Sequence, residues 1–195
     1  IIIDGKHTAI QVDEPNEKGE YTGSYFEYDG KRFAGIPEVV GYIDTTPTLG
    51  QKVAEAEKQV NTNPTEPQKE AGNYRKGHVQ VGTFDVTIEN PKGSVRSGID
   101  ADGNKWSVMM NNSYGYIRGT EGVDGDHIDV FLSDDIDGWN GSHAFVIDQY
   151  NEDGTFDEHK VMLGFNNQTD AFNAYLSNYE KGWENTRKLV ITSSA

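Results

Sequence analysis

Apolar and polar residues alternate over short stretches through most of this chain. His78-Val79-Gln80-Val81 and Phe84-Asp85-Val86-Thr87-Ile88 have the two-residue period of half-buried strands. Val95 to Ile99 and Lys105 to Met109 flank a turn at Asp100-Ala101-Asp102-Gly103, and further strands are predicted over 127–132, 143–149, 158–163 and 189–192. Residues 1–47 read as short strands, with a hairpin at Tyr25 to Ala34 because Asp29-Gly30 tolerates the positive φ of a tight turn. The three-to-four-residue period of a helix occurs twice. Residues 49–60 are good helix formers behind Thr48 as N-cap, and Ala171, Phe172, Tyr175, Leu176 and Tyr179 share one face of a helix over 168–180. Between them, 61–73 holds Pro64 and Pro67 and little that packs, so it reads as a linker with one helical turn capped by Thr65. Many short strands, Gly-rich turns and one late helix predict an α+β fold, mainly β, shaped as a small barrel with helical cover.

Composition supports strands. The chain has 195 residues and 34% hydrophobic residues, with 5 Leu against 15 Val and 13 Ile. The β-branched excess disfavours a helical bundle, and 11% aromatic residues supply the anchors for a core. With 17 basic and 32 acidic residues the formal charge is −15, which argues against general nucleic-acid binding and against docking on an anionic membrane. No apolar run is long enough to span a bilayer as a helix. The absence of Cys excludes disulfides and thiolate chemistry, without fixing the compartment. The chain opens Ile1-Ile2-Ile3 without Met or a secretory leader, and is expected to be a processed product or a piece of a longer polypeptide.

The chemistry concentrates between Glu121 and His159, where 12 carboxylates occur with no Lys or Arg among them. Such a run repels itself unless it is solvated or neutralised by cations. Asp124-Gly125-Asp126-His127-Ile128-Asp129 places three carboxylates in six positions. An EF-hand does not fit, since position six from Asp124 is Asp129 where glycine is needed and position twelve is Asp135 where glutamate is needed. His127, His143 and His159 lack the helical spacing of a zinc pair, and there is no P-loop, GxSxG or dinucleotide fingerprint.

Tyr114-Gly115-Tyr116-Ile117-Arg118-Gly119-Thr120-Glu121-Gly122-Val123 runs directly into Asp124-Gly125-Asp126-His127-Ile128-Asp129-Val130. This ordered segment resembles the signature of the soluble inorganic pyrophosphatases. It resembles most the divergent pyrophosphatase-like domain of multidomain proteins in phages and conjugative elements, which also has segments similar to Asn73 to His78 and Phe156 to Met162. The resemblance covers about 73–183. It implies an OB-like closed barrel with one or two covering helices. The expected division is a small β-rich segment over 1–48, a helix and linker over 49–73, and a pyrophosphatase-like domain over 74–195.

The resemblance also implies roles. Asp124 and Asp129 resemble metal ligands, as do Asp153 and Glu158, with Asp157 as the ligand if the register slips by one. Asp126 resembles the general base that takes the proton of the attacking water, and Tyr114 the tyrosine that hydrogen-bonds near the nucleophile. Arg96, Lys105, Lys160, Tyr179 and Lys181 resemble phosphate-binding groups. Glu89 resembles an early family glutamate. Two positions depart: Gly98 stands where the family has a glutamate, and Glu180 where it has a lysine. The implied cofactor is Mg²⁺, with Mn²⁺ as substitute, because hard cations prefer carboxylate and water oxygens. The implied reaction is hydrolysis of pyrophosphate or a related phosphoanhydride in the cytoplasm, with metal ions offsetting phosphate charge and acidifying water. The competing expectation, favoured by Gly98 and Glu180, is a non-catalytic metal-binding or virion-associated module derived from a pyrophosphatase.

Overall fold

The computed structural model describes residues 1–3, 7–99 and 103–194, and the strands Gly77–Val81 and Ala144–Tyr150 show the two-residue burial period. The chain divides into two compact units, Ile1–Pro47 and Thr48–Ala195.

In the first unit Ile2–Ile3 (β1) pairs with His7–Thr8 (β2), and Ile10–Pro15 (β3), Tyr21–Tyr28 (β4) and Lys31–Phe33 (β5) form an antiparallel sheet. The expected Asp29-Gly30 turn joins β4 to β5, and both residues have positive φ. A helix, Ile36–Thr45 (α1), follows where only strands were expected. Its signals are Pro37 in the first turn, Glu38 beside the positive end of the helix dipole, and Ile36, Val39, Val40 and Ile43 at helical spacing. Val39 is fully buried in a small core with Ile3 and Ala9.

The second unit opens with Leu49–Glu57 (α2). Thr48 and Gln51 form a capping box, Thr48 Oγ1 accepting from the Gln51 N–H at 3.2 Å and the Thr48 N–H donating to Gln51 Oε1 at 2.9 Å. Asp137 Oδ1 accepts from the Gly50 N–H at 2.6 Å, which ties the start of the helix to the turn at Ile136–Gly138. Glu66–Glu70 (α3) is the single turn expected behind Thr65. Next come Gly77–Val81 (β6), Phe84–Asn90 (β7), Val95–Ile99 (β8), Lys105–Met109 (β9), Ser113–Ile117 (β10), Asp129–Leu132 (β11), Ala144–Tyr150 (β12), Phe156–Leu163 (β13), Gln168–Ser177 (α4) and Lys188–Ser194 (β14). The turn expected at 100–103 falls largely on 100–102, outside the described residues.

Seven strands form one sheet in the order β14-β12-β13-β11-β10-β7-β6. Its pairs are antiparallel except β11–β13, which is parallel. The sheet is open, with β14 and β6 as edges, so the expected closed barrel is not formed. Closure needs one continuous ladder around the axis. Here β8 and β9 leave the sheet to pair only with each other, and β7 passes directly to β10.

Both faces of the sheet are covered. On one, Val79, Val81, Val86, Ile88, Val130 and Leu132 pack with Val53 and Ala56 of α2. On the other, Phe131, Phe145, Ile147 and Met162 pack with Ala171 and Tyr175 of α4. Gly115 lets β10 lie against β7, since a Cβ there would come within 1.8 Å of the Thr87 carbonyl oxygen. The sheet therefore requires the glycine between Tyr114 and Tyr116.

Candidate active site

The two-residue period that sends Phe131, Met162 and Ile147 into the α4 face sends Asp129, Lys160 and Gln149 to the same side. Register then brings them together. The parallel β11–β13 pair sets Asp129 opposite Lys160, the antiparallel β12–β13 pair sets Gln149 opposite Glu158, and β10 sets Tyr114 opposite Phe131. Polar side chains thus meet where the apolar core ends.

Lys160 is 3% exposed and Tyr114 4% exposed. The Lys160 ammonium donates to Asp129 Oδ2 and, at 2.6 Å, to Glu158 Oε2. The Tyr114 hydroxyl also donates to Asp129 Oδ2. Gln149 Nε2 donates to Glu158 Oε1 at 2.6 Å, and Gln149 Oε1 accepts from the hydroxyls of Tyr175 and Tyr179. Each buried polar group has a partner, as a low-dielectric site demands. Burial opposes the charge of Lys160, but Tyr114, Tyr179, Asp129 and Glu158 together raise its pKa well above the usual lysine value. Burial likewise raises the pKa of Tyr114, and both groups stay protonated at neutral pH.

Arg96 reaches the cluster from β8. Its guanidinium lies 4.5 Å from the Tyr114 ring centroid and 5.3 Å from that of Trp106, and Nη2 donates to the Tyr114 hydroxyl at 3.4 Å. It stands in no ion pair among the described residues; burial opposes its charge, but Tyr114, Tyr179, Asp129 and Glu158 outweigh burial and raise its pKa. Arg96, Lys160, Glu158 and Tyr179 line a cavity of about 360 Å³ together with Trp106, Trp183 and Arg187. On its other side Arg96, with Tyr114 and Glu89, borders a second cavity of about 640 Å³, where Glu89 is paired with Lys76 at 2.6 Å.

The sequence-expected residues divide into two groups. Tyr114, Asp129, Glu158, Lys160, Arg96 and Tyr179 converge. Asp124 joins Asp129 and Glu158 in lining a cleft of about 10 Å³. Asp126 is exposed on the adjoining turn, where its N–H donates to Asp124 Oδ1 at 3.1 Å. Asp153 is exposed, and its carboxylate is engaged by the Thr155 N–H at 2.9 Å and hydroxyl at 2.6 Å. Lys105 and Lys181 are exposed. Asp157 pairs with Arg187 at 2.8 Å.

Gln149, Tyr175, Trp183 and Arg187 were not anticipated. Gln149 had a signal: Phe145, Ile147 and Gln149 alternate inward on β12, so it is a polar residue at a core position. Trp183 and Arg187 come from the single 3-10 turn Trp183–Thr186 and the residue after it, too short a stretch to show a period. The end of α4 is fixed by buried Asn178, which accepts from the N–H groups of Asn111 and Asn112 at 2.7 and 3.1 Å and so holds the neighbouring Tyr179 over the site.

Asp124, Asp129 and Glu158 border one cleft, and carboxylate is the donor type that a hard divalent cation prefers. In the described conformation Lys160 neutralises Asp129 and Glu158, and no three His, Asp or Glu among the described residues stand close enough to share an ion. No helix among the described residues is long and apolar enough to cross a membrane.

A structure of an inorganic pyrophosphatase from Coxiella burnetii is similar at 18% identity, over 58% of this chain and 88% of that one, with a TM-score of 0.31. No curated protein sequence matches. The family model of inorganic pyrophosphatase matches residues 66–195, about two thirds of the chain, from the start of α3 through β14. The match spans every residue placed around Asp129 and Lys160, and on it the chain belongs to the inorganic pyrophosphatase family.

Proposed function

We propose that the second unit hydrolyses pyrophosphate or a related phosphoanhydride with the help of Mg²⁺. The observation that carries this reading is the juxtaposition of a buried cation, Lys160, and a half-buried one, Arg96, with a carboxylate-bordered cleft. Arg96, free of any ion pair among the described residues, and Lys160 face one cavity, which Asp157, Glu158 and Glu180 also line, while Asp124, Asp129 and Glu158 border the adjoining cleft. An anion with several charged oxygens and a divalent cation would complete each other's charge there.

Asp124, Asp129 and Glu158 are the residues that would hold the cation. When bound it supplies Lewis acidity toward phosphoryl oxygens and a lower pKa for water. Arg96 and Lys160 orient the phosphoryl oxygens, and the Tyr114 hydroxyl, kept neutral by burial, donates toward the carboxylate it already touches. Asp126, two residues after Asp124 and exposed to solvent, is the proposed acceptor of the attacking water's proton. The water oxygen bonds to one phosphorus, the bridging P–O bond breaks, and the second phosphate leaves with the electron pair.

One observation favours a second reading, binding without turnover. A Cβ at Gly98 would come within 2.5 Å of the Trp106 ring, so no carboxylate fits at that position while the indole lies over it. Phosphate release from pyrophosphate separates the two. Hydrolysis is expected with Mg²⁺ and its loss with a chelator. A folded protein that binds Mg²⁺ and pyrophosphate but releases no phosphate would establish the binding module.

A further inference from the structure

An inorganic anion needs charge and hydrogen-bond donors, whereas the cavity beside Lys160 also has aromatic walls. Trp106 and Trp183 border it with Tyr179, and Trp183 is stacked on Tyr179 at 4.0 Å between centroids and 18° between planes. At about 360 Å³ the cavity falls in the range that accommodates small organic molecules, roughly 300–1,000 Å³. Trp106 is placed there by its strand partner. It faces Gly98 across the β8–β9 ladder, and a Cβ at Gly98 would lie 2.5–2.9 Å from three atoms of the indole. The missing side chain is thus the condition for the indole to lie across β8. The Arg96 guanidinium then sits near the rings of both Trp106 and Tyr114, so one cation adjoins the aromatic wall and the Asp129–Lys160 cluster together.

From this arrangement we propose that the site takes phosphoanhydrides that carry a nucleobase, nucleoside di- or polyphosphates, with the base stacked on Trp106 and the phosphates on Arg96 and Lys160. The proposal rests on the phosphoanhydride reading above and names the substrate class of that site. Every nucleobase has a π-face, so an aromatic wall recognises the class without selecting one base.

Two non-hydrolysable probes test it on the full chain with Mg²⁺ present: methylenediphosphonate, and the α,β-methylene analogue of adenosine diphosphate. Calorimetry is expected to give roughly tenfold or more tighter binding of the nucleoside analogue, within the range that stacking of one base supplies. Trp106→Ala is expected to remove that advantage, so that the two probes bind with similar affinity. Trp106→Phe is expected to restore part of it. Gly98→Ala, which forces the indole aside without deleting it, is expected to reproduce the loss. Equal affinity of the two probes in the unaltered chain overturns the proposal, as does a nucleoside preference insensitive to both Trp106→Ala and Gly98→Ala. If neither pyrophosphate nor adenosine diphosphate is hydrolysed while the Trp106-dependent preference persists, the hydrolytic reading fails and the nucleobase platform stands.

Discussion

At the scale of single residues, Lys160 holds the site's charges in balance. It is 3% exposed and stands between two carboxylates whose side chains are 21% and 31% exposed. Removing the ammonium leaves two partly buried carboxylates without compensation, at a cost of up to about 3 kcal/mol, the low end for a fully buried pair. Lys160→Met is therefore expected to lower unfolding stability by that order in chelator, as read by denaturant titration. Because the freed carboxylates are proposed cation ligands, excess Mg²⁺ is expected to recover part of the loss. A change below about 1 kcal/mol would show that Asp129 and Glu158 are hydrated rather than dependent on the ammonium. At this scale the sequence displays Asp124, Asp126 and Asp129 within six positions, and of these the structure sets Asp124 and Asp129 on one cleft with Asp126 outside its lining, while the parallel register joins Asp129 to Lys160. Trp183 and Arg187 were hidden because only the path of the chain after α4 brings them to the cavity.

At the scale of elements, period-two alternation identified β6, β7, β8, β9, β12 and β13 within a residue or two. It failed for β10, whose burial is nearly complete on both faces across Ser113 to Ile117, so no alternation exists to be read. It failed for α1 because Tyr25 to Ala34 is a genuine hairpin and the strand reading was carried past it into Ile36, Val39, Val40 and Ile43. Barrel closure was illegible for another reason. Strand pattern reports which faces are buried, not whether the first and last strands meet, and the departure of β8–β9 from the sheet leaves no mark on alternation. Helix α2 raises a question of boundaries. Its Val53 and Ala56 belong to the same core as Val79 and Val81, so removing it uncovers one face of the sheet. A chain beginning at Thr48 is expected to unfold cooperatively, and one beginning at Asn73 to lose that cooperativity. Far-ultraviolet circular dichroism on heating distinguishes them, and identical transitions for the two would show that α2 is dispensable to the sheet.

At the scale of the whole molecule, an acidic chain with a formal charge of −15 is proposed to act on a polyanion, which requires that its positive charge be localised. Arg96 supplies that localisation from within the fold, while Lys160 and a divalent cation together would neutralise the carboxylates of Asp124, Asp129 and Glu158 in the adjoining cleft. The roles of the aspartates then separate in one experiment, a Mg²⁺ titration followed by calorimetry and by phosphate release in the unaltered chain, Asp126→Asn and Asp129→Ala. Asp126→Asn keeps size and hydrogen bonding but cannot accept a proton, so the maximal rate is expected to fall by roughly 10²-fold or more while Mg²⁺ affinity changes little. Asp129→Ala removes a ligand, so Mg²⁺ affinity itself is expected to fall and excess Mg²⁺ to restore part of the rate. Turnover unchanged in Asp126→Asn, or equal loss of Mg²⁺ binding in both variants, would contradict this assignment of the site.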